Sequence, residues 1–303
     1  MAFQTGLLLP GAIGVIGLGN MGSAITRALR RNGVVPAVLD CAAHPLPGSL
    51  VGLGLPSARS PAALAEQCGL VLTCLPSSKE VQEVTSGPDG LLSVARAGLI
   101  HIDHTSGEPA VARALHDVYQ ARHGAFVDAA MLRTPAAVEE GRLVLLLGGE
   151  RATLDAIDDI LSLYSERRLH VGPVGAGHTL KLIASFVGLG AATLIAESYA
   201  LMSAANLDVR FLHEAITGSG ADSGTFQAIS AALLNGSVPG ANTRKLSLGN
   251  ARRSVAALCD LALQLDTAAP MATSAAASLA RSCVEFGEAA EISSLASLSI
   301  QRP

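Results

Sequence analysis

Residues 13–22 read IGVIGLGNMG, an apolar run broken by Gly14, Gly17, Gly19 and Gly22. In a chain that carries 31 glycines the spacing G-x-G-x-x-G means little by itself, so its surroundings decide what it is. Residues 12–18 are nearly all apolar, as expected of a parallel strand buried on both faces. After the glycines Asn20 opens a helix in which Met21, Ile25 and Leu29 recur at helical spacing, and RRNG closes it with Gly33 as the cap. VVPAVLD, residues 34–40, then gives a second short strand that ends on Asp40. Strand, glycine turn, helix, strand and acid follow in the order of a dinucleotide-binding unit.

Each residue of that turn has a physical task. Gly17 makes the tight turn, Gly19 lets backbone approach a pyrophosphate, and Gly22 lets the helix pack on the sheet. Leu18, Asn20 and Met21 belong to the same cradle, where the helix N-terminus offers N–H donors and the positive end of its dipole. Asp40 stands 23 residues after Gly17, where a carboxylate accepts hydrogen bonds from both ribose hydroxyls of NAD and repels the 2′-phosphate of NADP. Cys41 follows it, and the next arginine is Arg59, so nothing nearby would welcome that phosphate. The expected cofactor is NAD rather than NADP.

Outward from this turn the alternation continues. Strand runs fall at 70–76, 99–103, 125–130, 142–149 and 168–172, and helical segments at 61–67, 79–84, 109–122 and 152–164. These residues predict a doubly wound Rossmann sheet over 11–172. Beyond GPVGAG the strand runs cease: a long interdomain helix is expected over about 178–206, then alanine- and leucine-rich helices, an all-α domain over 173–303. A chain of 303 residues suits two such domains.

Composition narrows the function classes. A net charge of −4 with 3% aromatic residues leaves no basic stripe and few stacking platforms, so nucleic acid is not expected as a partner. No run of 18 residues lacks a polar interruption and the N-terminus lacks the basic flank of a secretory signal, so a cytoplasmic protein without membrane attachment is expected. Cys41, Cys68, Cys74, Cys259 and Cys283 form no C-x-x-C pair and read as small buried hydrophobes in a reducing compartment. His101 and His104 flank Asp103, yet an extended segment turns them to opposite faces, so no metal is expected. The long apolar helix and its alanine-rich domain offer more hydrophobic surface than one copy covers easily, which predicts a homodimer or homotetramer.

The motifs, in order, resemble the β-hydroxyacid dehydrogenases, the family of 3-hydroxyisobutyrate dehydrogenase, tartronate semialdehyde reductase and the sulfolactaldehyde reductases. The resemblance spans nearly the whole chain and rests on IGLGNMG, TCLPSSKEVQEV, IDHTSGEP, VDAAMLRTPAAVEEGRL and GPVGAGHTLKLIAS. It implies hydride transfer at nicotinamide in a site between a nucleotide domain and a helical domain. It makes Lys181 the catalytic acid/base: an ammonium stabilises the oxyanion that a carbonyl develops and delivers the proton, and the neutral amine takes it back in oxidation. It sets Leu75 and Pro76 against the cofactor and Ser106 near the nicotinamide; without the resemblance, Thr105 and Ser106 read as a cap for the helix starting near 109.

Three departures bear on the substrate. Where the family usually carries a serine and two glycines, this chain has Leu132, Arg133 and Thr134, similar to the G-R-T of the sulfolactaldehyde reductases. A guanidinium forks onto a carboxylate, sulfonate or phosphate, so a small anionic substrate is expected with Arg133 and Thr134 at its head group. The asparagines usual after the lysine are replaced by Ala184 and Ser185, the latter one turn along on the face of Lys181. Arg253 stands where a cofactor-contacting lysine is expected and Ser254 replaces the aspartate. The expected activity is an NAD-dependent interconversion of a small anionic 3-hydroxy acid and its semialdehyde. A sulfolactaldehyde-type or phosphate-bearing aldehyde reductase is the alternative, and a catalytically altered nucleotide-binding protein is the rival from another class. Imine reductases share the build but carry aspartate or tyrosine where this chain has Lys181.

Overall fold

The computed structural model describes residues 12–40, 46–94, 97–235, 247–292 and 294–295. Their elements run β1 (Ala12–Ile16), α1 (Asn20–Arg31), β2 (Ala37–Leu39), α2 (Pro61–Gln67), β3 (Cys68–Thr73), α3 (Ser78–Ser86), β4 (Ile100–Asp103), α4 (Pro109–Gln120), β5 (Ala125–Leu132), α5 (Pro135–Glu139), β6 (Leu143–Gly148), α6 (Arg151–Ser162) and β7 (Ser165–Gly172). The helices α7 (Ala176–Ala204), α8 (Arg210–Ile216), α9 (Gly224–Asn235), α10 (Leu248–Gln264) and α11 (Pro270–Phe286) follow. The chain divides into two compact units, and the break falls inside α7, between Lys181 and Leu182.

The first unit is an α/β Rossmann domain whose seven strands lie in the order β2-β1-β3-β4-β5-β6-β7. β1 feeds β2 on one side while β3 takes the other, each pairing parallel, so the chain reverses direction across the sheet at β1 and β3. At such a switch point the helices leave to opposite faces and a crevice opens beyond the carboxyl ends of the strands. Ile25 and Leu29 of α1 pack with Ile157 and Leu161 of α6 on one face; Leu64 of α2, Val81 of α3 and Leu115 of α4 cover the other. β6 pairs antiparallel with β5, a reversal the apolar runs do not announce. The cause is the short connection through the five-residue α5, since a parallel return needs a crossover of a dozen residues or more.

In the second unit Leu189, Ala192 and Ala196 of α7 pack against Ile229 of α9, Val255 of α10 and Leu279 of α11. Tyr199 is fully buried there and its hydroxyl donates to Ser230 Oγ at 2.7 Å. The helical character expected of this region holds, and the long helix begins two residues earlier than its apolar pattern suggested, at Ala176 rather than 178.

Candidate active site

The glycine turn leaves β1 and is tied down on two sides. Gly17 N–H donates to Leu39 O of β2 at 2.9 Å, and Cys74 N–H donates to Ile16 O at 2.9 Å, so the ends of β1, β2 and β3 meet at this point. Gly17 has φ +90 and any side chain there would strike the Cys74 carbonyl, which makes glycine obligatory. A methyl at Gly22 would collide with Gly17 O, so the third glycine serves the packing of α1 against its own turn. Gly19 differs: among the described residues no atom lies within 4 Å of where its Cβ would be, and α1 begins with no side-chain cap and no acid in its first turn. Among the described residues the backbone at Gly19 is thus uncovered, beside exposed Asn20 and half-buried Met21, while Gly22 N–H is engaged by the Cys74 thiol; Leu18 is buried beneath, its carbonyl accepting Ser23 Oγ–H at 2.6 Å. That is a cradle suited to a diphosphate. Asp40, half-buried, directly follows the β2 residue that holds Gly17.

A buried polar network braces the neighbouring strand ends. Thr73 Oγ1–H donates to Asp103 Oδ1 at 2.8 Å, so the 2.8 Å contact between that hydroxyl and His101 Nε2 requires the proton on Nε2, and His101 Nδ1 accepts from Tyr119 OH at 3.0 Å. Burial holds His101 neutral by pushing its pKa down to about 4. Asp103 Oδ1 also accepts Thr105 N–H at 2.9 Å, and Thr105 Oγ1 accepts Leu75 N–H at 3.1 Å. Thr105 therefore supports the Leu75-Pro76 turn; α4 starts at Pro109 after Glu108, whose side chain makes no capping bond, which corrects the capping reading of Thr105 and Ser106. Ser106 and Pro76 are exposed next to this network. His104 turns to the other face, with Nδ1 2.7 Å from Ala129 O and Nε2 2.9 Å from Tyr164 OH. Burial drives the Cys74 thiol up to about 12, aided by the nearby Asp103 carboxylate, which favours the protonated form.

The second half of the site is built on β5. Lys181 is 7% exposed and its ammonium donates to Met131 O at 2.7 Å. Directly after β5, Arg133 has φ +85, a left-handed conformation that costs a residue with Cβ about 1–2 kcal/mol. The Arg133 guanidinium forks onto Glu166 at 3.1 and 3.3 Å and donates to Arg142 O at 2.5 Å. Thr134 is half-buried at the start of α5. Ser185 lies one turn beyond Lys181 on α7 and is half-buried. Arg253 belongs to the helical unit, is exposed, and bonds Glu288 at 3.4 Å and Asn250.

Two buried groups of this region have no part in the motif reading. Asp128, fully buried on β5, accepts Gly175 N–H at 2.7 Å and His178 N–H at 2.8 Å. Burial raises its pKa, opposed by His178 and by those two amides. The His178 ring is buried and, among the described residues, neither of its nitrogens is hydrogen-bonded; its Nε2 lies 3.9 Å from Asp103 Oδ2. An acid inside the apolar run AFVDAA was the signal available for Asp128, because a strand buried on both faces keeps a carboxylate only when it is satisfied.

The NAD binding domain of 6-phosphogluconate dehydrogenase matches residues 12–172, more than half of the chain. The chain belongs to this family. Mouse mitochondrial 3-hydroxyisobutyrate dehydrogenase is 30% identical over 170 residues, 56% of this chain and 50% of that protein. The 3-sulfolactaldehyde reductase of Escherichia coli is 29% identical over 215 residues, 71% of this chain and 72% of that one. The chain thus spans half the length of the first of these relatives and nearly three quarters of the second. A solved Mycobacterium tuberculosis 3-hydroxyisobutyrate dehydrogenase shares the fold, with a TM-score of 0.79 at 24% identity over 95% of this chain and 98% of its own. The resemblance to β-hydroxyacid dehydrogenases, and with it the assignment to the oxidoreductases, is borne out.

Proposed function

We propose that this family member interconverts a small anionic 3-hydroxy acid and its semialdehyde, with NAD as cofactor and Lys181 as acid/base. The observation that carries the reading is the lysine itself, buried at the end of β5 with its ammonium fixed on Met131 O. The nicotinamide, when bound, takes up or returns the hydride. The residues present fit such a cofactor: the uncapped start of α1 and the open side of Gly19 suit its phosphates, and Asp40 suits a ribose with both hydroxyls. In oxidation neutral Lys181 Nζ takes the hydroxyl proton of the substrate; in reduction the ammonium returns it while stabilising charge on the carbonyl oxygen. Thr134 and Arg133 receive the anionic head group, which shares or displaces the Glu166 carboxylate on the guanidinium.

An anion with a sulfonate or phosphate head is the second reading, favoured by an arginine held at φ +85 where glycine is usual. A cytoplasmic homo-oligomer without membrane or nucleic-acid contact remains part of the proposal. By length and mean hydropathy, 1.8, α7 could cross a bilayer. Against that stand its first turn bonded to Asp128 and Lys181 turned onto β5. Exposed Val187, Leu194 and Leu201 at seven-residue spacing on α7 support association with a second copy.

The test is a panel of 3-hydroxy acids, semialdehydes and their sulfonate and phosphate analogues, followed by absorbance of the reduced cofactor. NAD is expected to exceed NADP in kcat/KM by about tenfold or more, roughly 1.4 kcal/mol. Lys181→Met is expected to lower kcat by about 10²–10⁴ with NAD affinity nearly unchanged. Binding of NAD without turnover of any member would instead identify a non-catalytic nucleotide-binding protein.

A further inference from the structure

The turn GPVGAGHTLK, residues 172–181, carries glycines whose purpose the motif reading leaves open. Gly175 has φ +92, and a side chain there would also press on Pro109 O and the Arg113 side chain, both 3.0 Å from its Cβ. At Gly177 a Cβ would collide with Leu146 O and lie 2.9 Å from Asp128 Oδ2; at Gly148 it would collide with Asp128 Oδ1. Gly148 and Gly177 thus clear a slot on β5 and β6 shaped to the Asp128 carboxylate. Into that slot come two N–H groups at the start of α7, that of Gly175, just before the helix, on one carboxylate oxygen and that of His178, in its first turn, on the other. Three residues further along β5, Met131 O receives Nζ of Lys181, which lies one helical turn beyond His178. One strand therefore grips one helix at two points, by its backbone start and by the lysine tip.

We infer that Asp128 is the positioning residue for Lys181: its carboxylate caps α7 and fixes the depth and rotation at which the lysine reaches the end of β5. The inference deepens the proposed function, but its geometry holds whether or not Lys181 moves a proton. Asp128 touches no reacting atom, and its effect passes through the helix it caps.

Labelling with trinitrobenzenesulfonate tests it without any substrate. The chain has three lysines, Lys79, Lys181 and Lys245, and exposed Lys79 serves as the internal standard. In the intact chain Lys181 is expected to react slowly. Asp128→Asn keeps one acceptor oxygen but turns an amide toward one of the two N–H groups, and is expected to raise Lys181 labelling about tenfold or more while Lys79 labelling and NAD+ affinity stay within twofold. An unchanged Lys181 rate overturns the inference, and so does a parallel rise at Lys79, which reports general loosening. Should Asp128→Asn fail to fold, Gly177→Ala lifts α7 from the slot by a separate route and is judged by the same rates. Turnover of 3-hydroxyisobutyrate with NAD+, where it occurs, adds a second readout: Asp128→Asn is expected to lower kcat more than KM and to cost nothing further in a Lys181→Met background. Additive losses overturn positioning. Faster labelling with Lys181→Met turnover near that of the unaltered chain leaves positioning standing and defeats the lysine acid/base instead.

Discussion

Two glycine-rich turns in the Rossmann unit lead from a strand into a helix, and they are completed in opposite ways. After β1, the turn through Gly17 and Gly19 leads into α1 with no side-chain cap, no acid in its first turn and, among the described residues, no atom within 4 Å of a Cβ at Gly19. After β7, the turn through Gly172 and Gly175 presents two N–H groups at the start of α7 to Asp128, a carboxylate the protein supplies from its own sheet. Both exploit the affinity of a helix N-terminus for negative charge. The first leaves the anion to come from outside and so makes a binding site. The second carries its own anion and so makes a fixed joint, one turn ahead of the lysine proposed for catalysis. Glycine spacing is similar in the two; the neighbouring strand decides which is a site.

The largest effect that can break this comparison is removal of the internal anion. Asp128→Ala leaves two buried N–H groups without an acceptor and opens a cavity between β5 and α7, an expected loss of about 2–5 kcal/mol read from denaturant unfolding. Stability unchanged would show that α7 does not depend on its cap. Next comes acid. His101 is neutral in the fold with its pKa lowered from 6.5 to about 4, so the unfolded chain binds the extra proton across that interval. Stability contributed by the neutral ring is complete above about pH 6.5 and falls as pH drops toward 4, by up to about 3 kcal/mol, since each tenfold change in proton affinity is worth about 1.4 kcal/mol. Asp103, His104 and Tyr119 surround the ring, so the comparison of interest is His101→Gln, expected to flatten the slope between pH 7 and 5 in urea melts.

The open turn gives a sharper contrast within itself. Gly22→Ala forces a methyl onto Gly17 O, an expected cost of about 1–3 kcal/mol in stability together with lost NAD+ binding. Gly19→Ala meets nothing in the fold, so stability is expected to move by under about 1 kcal/mol while NAD+ affinity falls about tenfold. Calorimetry on both variants separates the two; equal affinity in Gly19→Ala and the unaltered chain would remove the phosphates from this turn. The smallest effect on stability is expected at Arg133→Gly. Relief of the φ +85 strain, about 1 kcal/mol, offsets the loss of an exposed ion pair to Glu166, worth about 0–1 kcal/mol. Thermal unfolding should stay nearly constant while KM for an anionic substrate rises about tenfold and that for a neutral aldehyde does not. A KM indifferent to the change would make Arg133 a surface residue.

Sequence alone determined the βαβ unit around IGLGNMG, the alternation that builds the sheet, and the change to helices after Gly172, because each rests on local periodicity and on backbone positions that demand glycine. Motif order also singled out Lys181 and Arg133 as the residues proposed for the chemistry. Tertiary structure decided what those residues meet. The antiparallel β6, the ties of Thr73 to Asp103 and of Leu75 to Thr105, the Glu166 partner of Arg133 and the capture of α7 by Asp128 all join residues 30 or more positions apart, or depend on a strand's direction. No local pattern encodes such pairings. A buried carboxylate announces that it needs partners, but which amides approach it is fixed by how strands and helices pack, and that packing is a property of the whole chain.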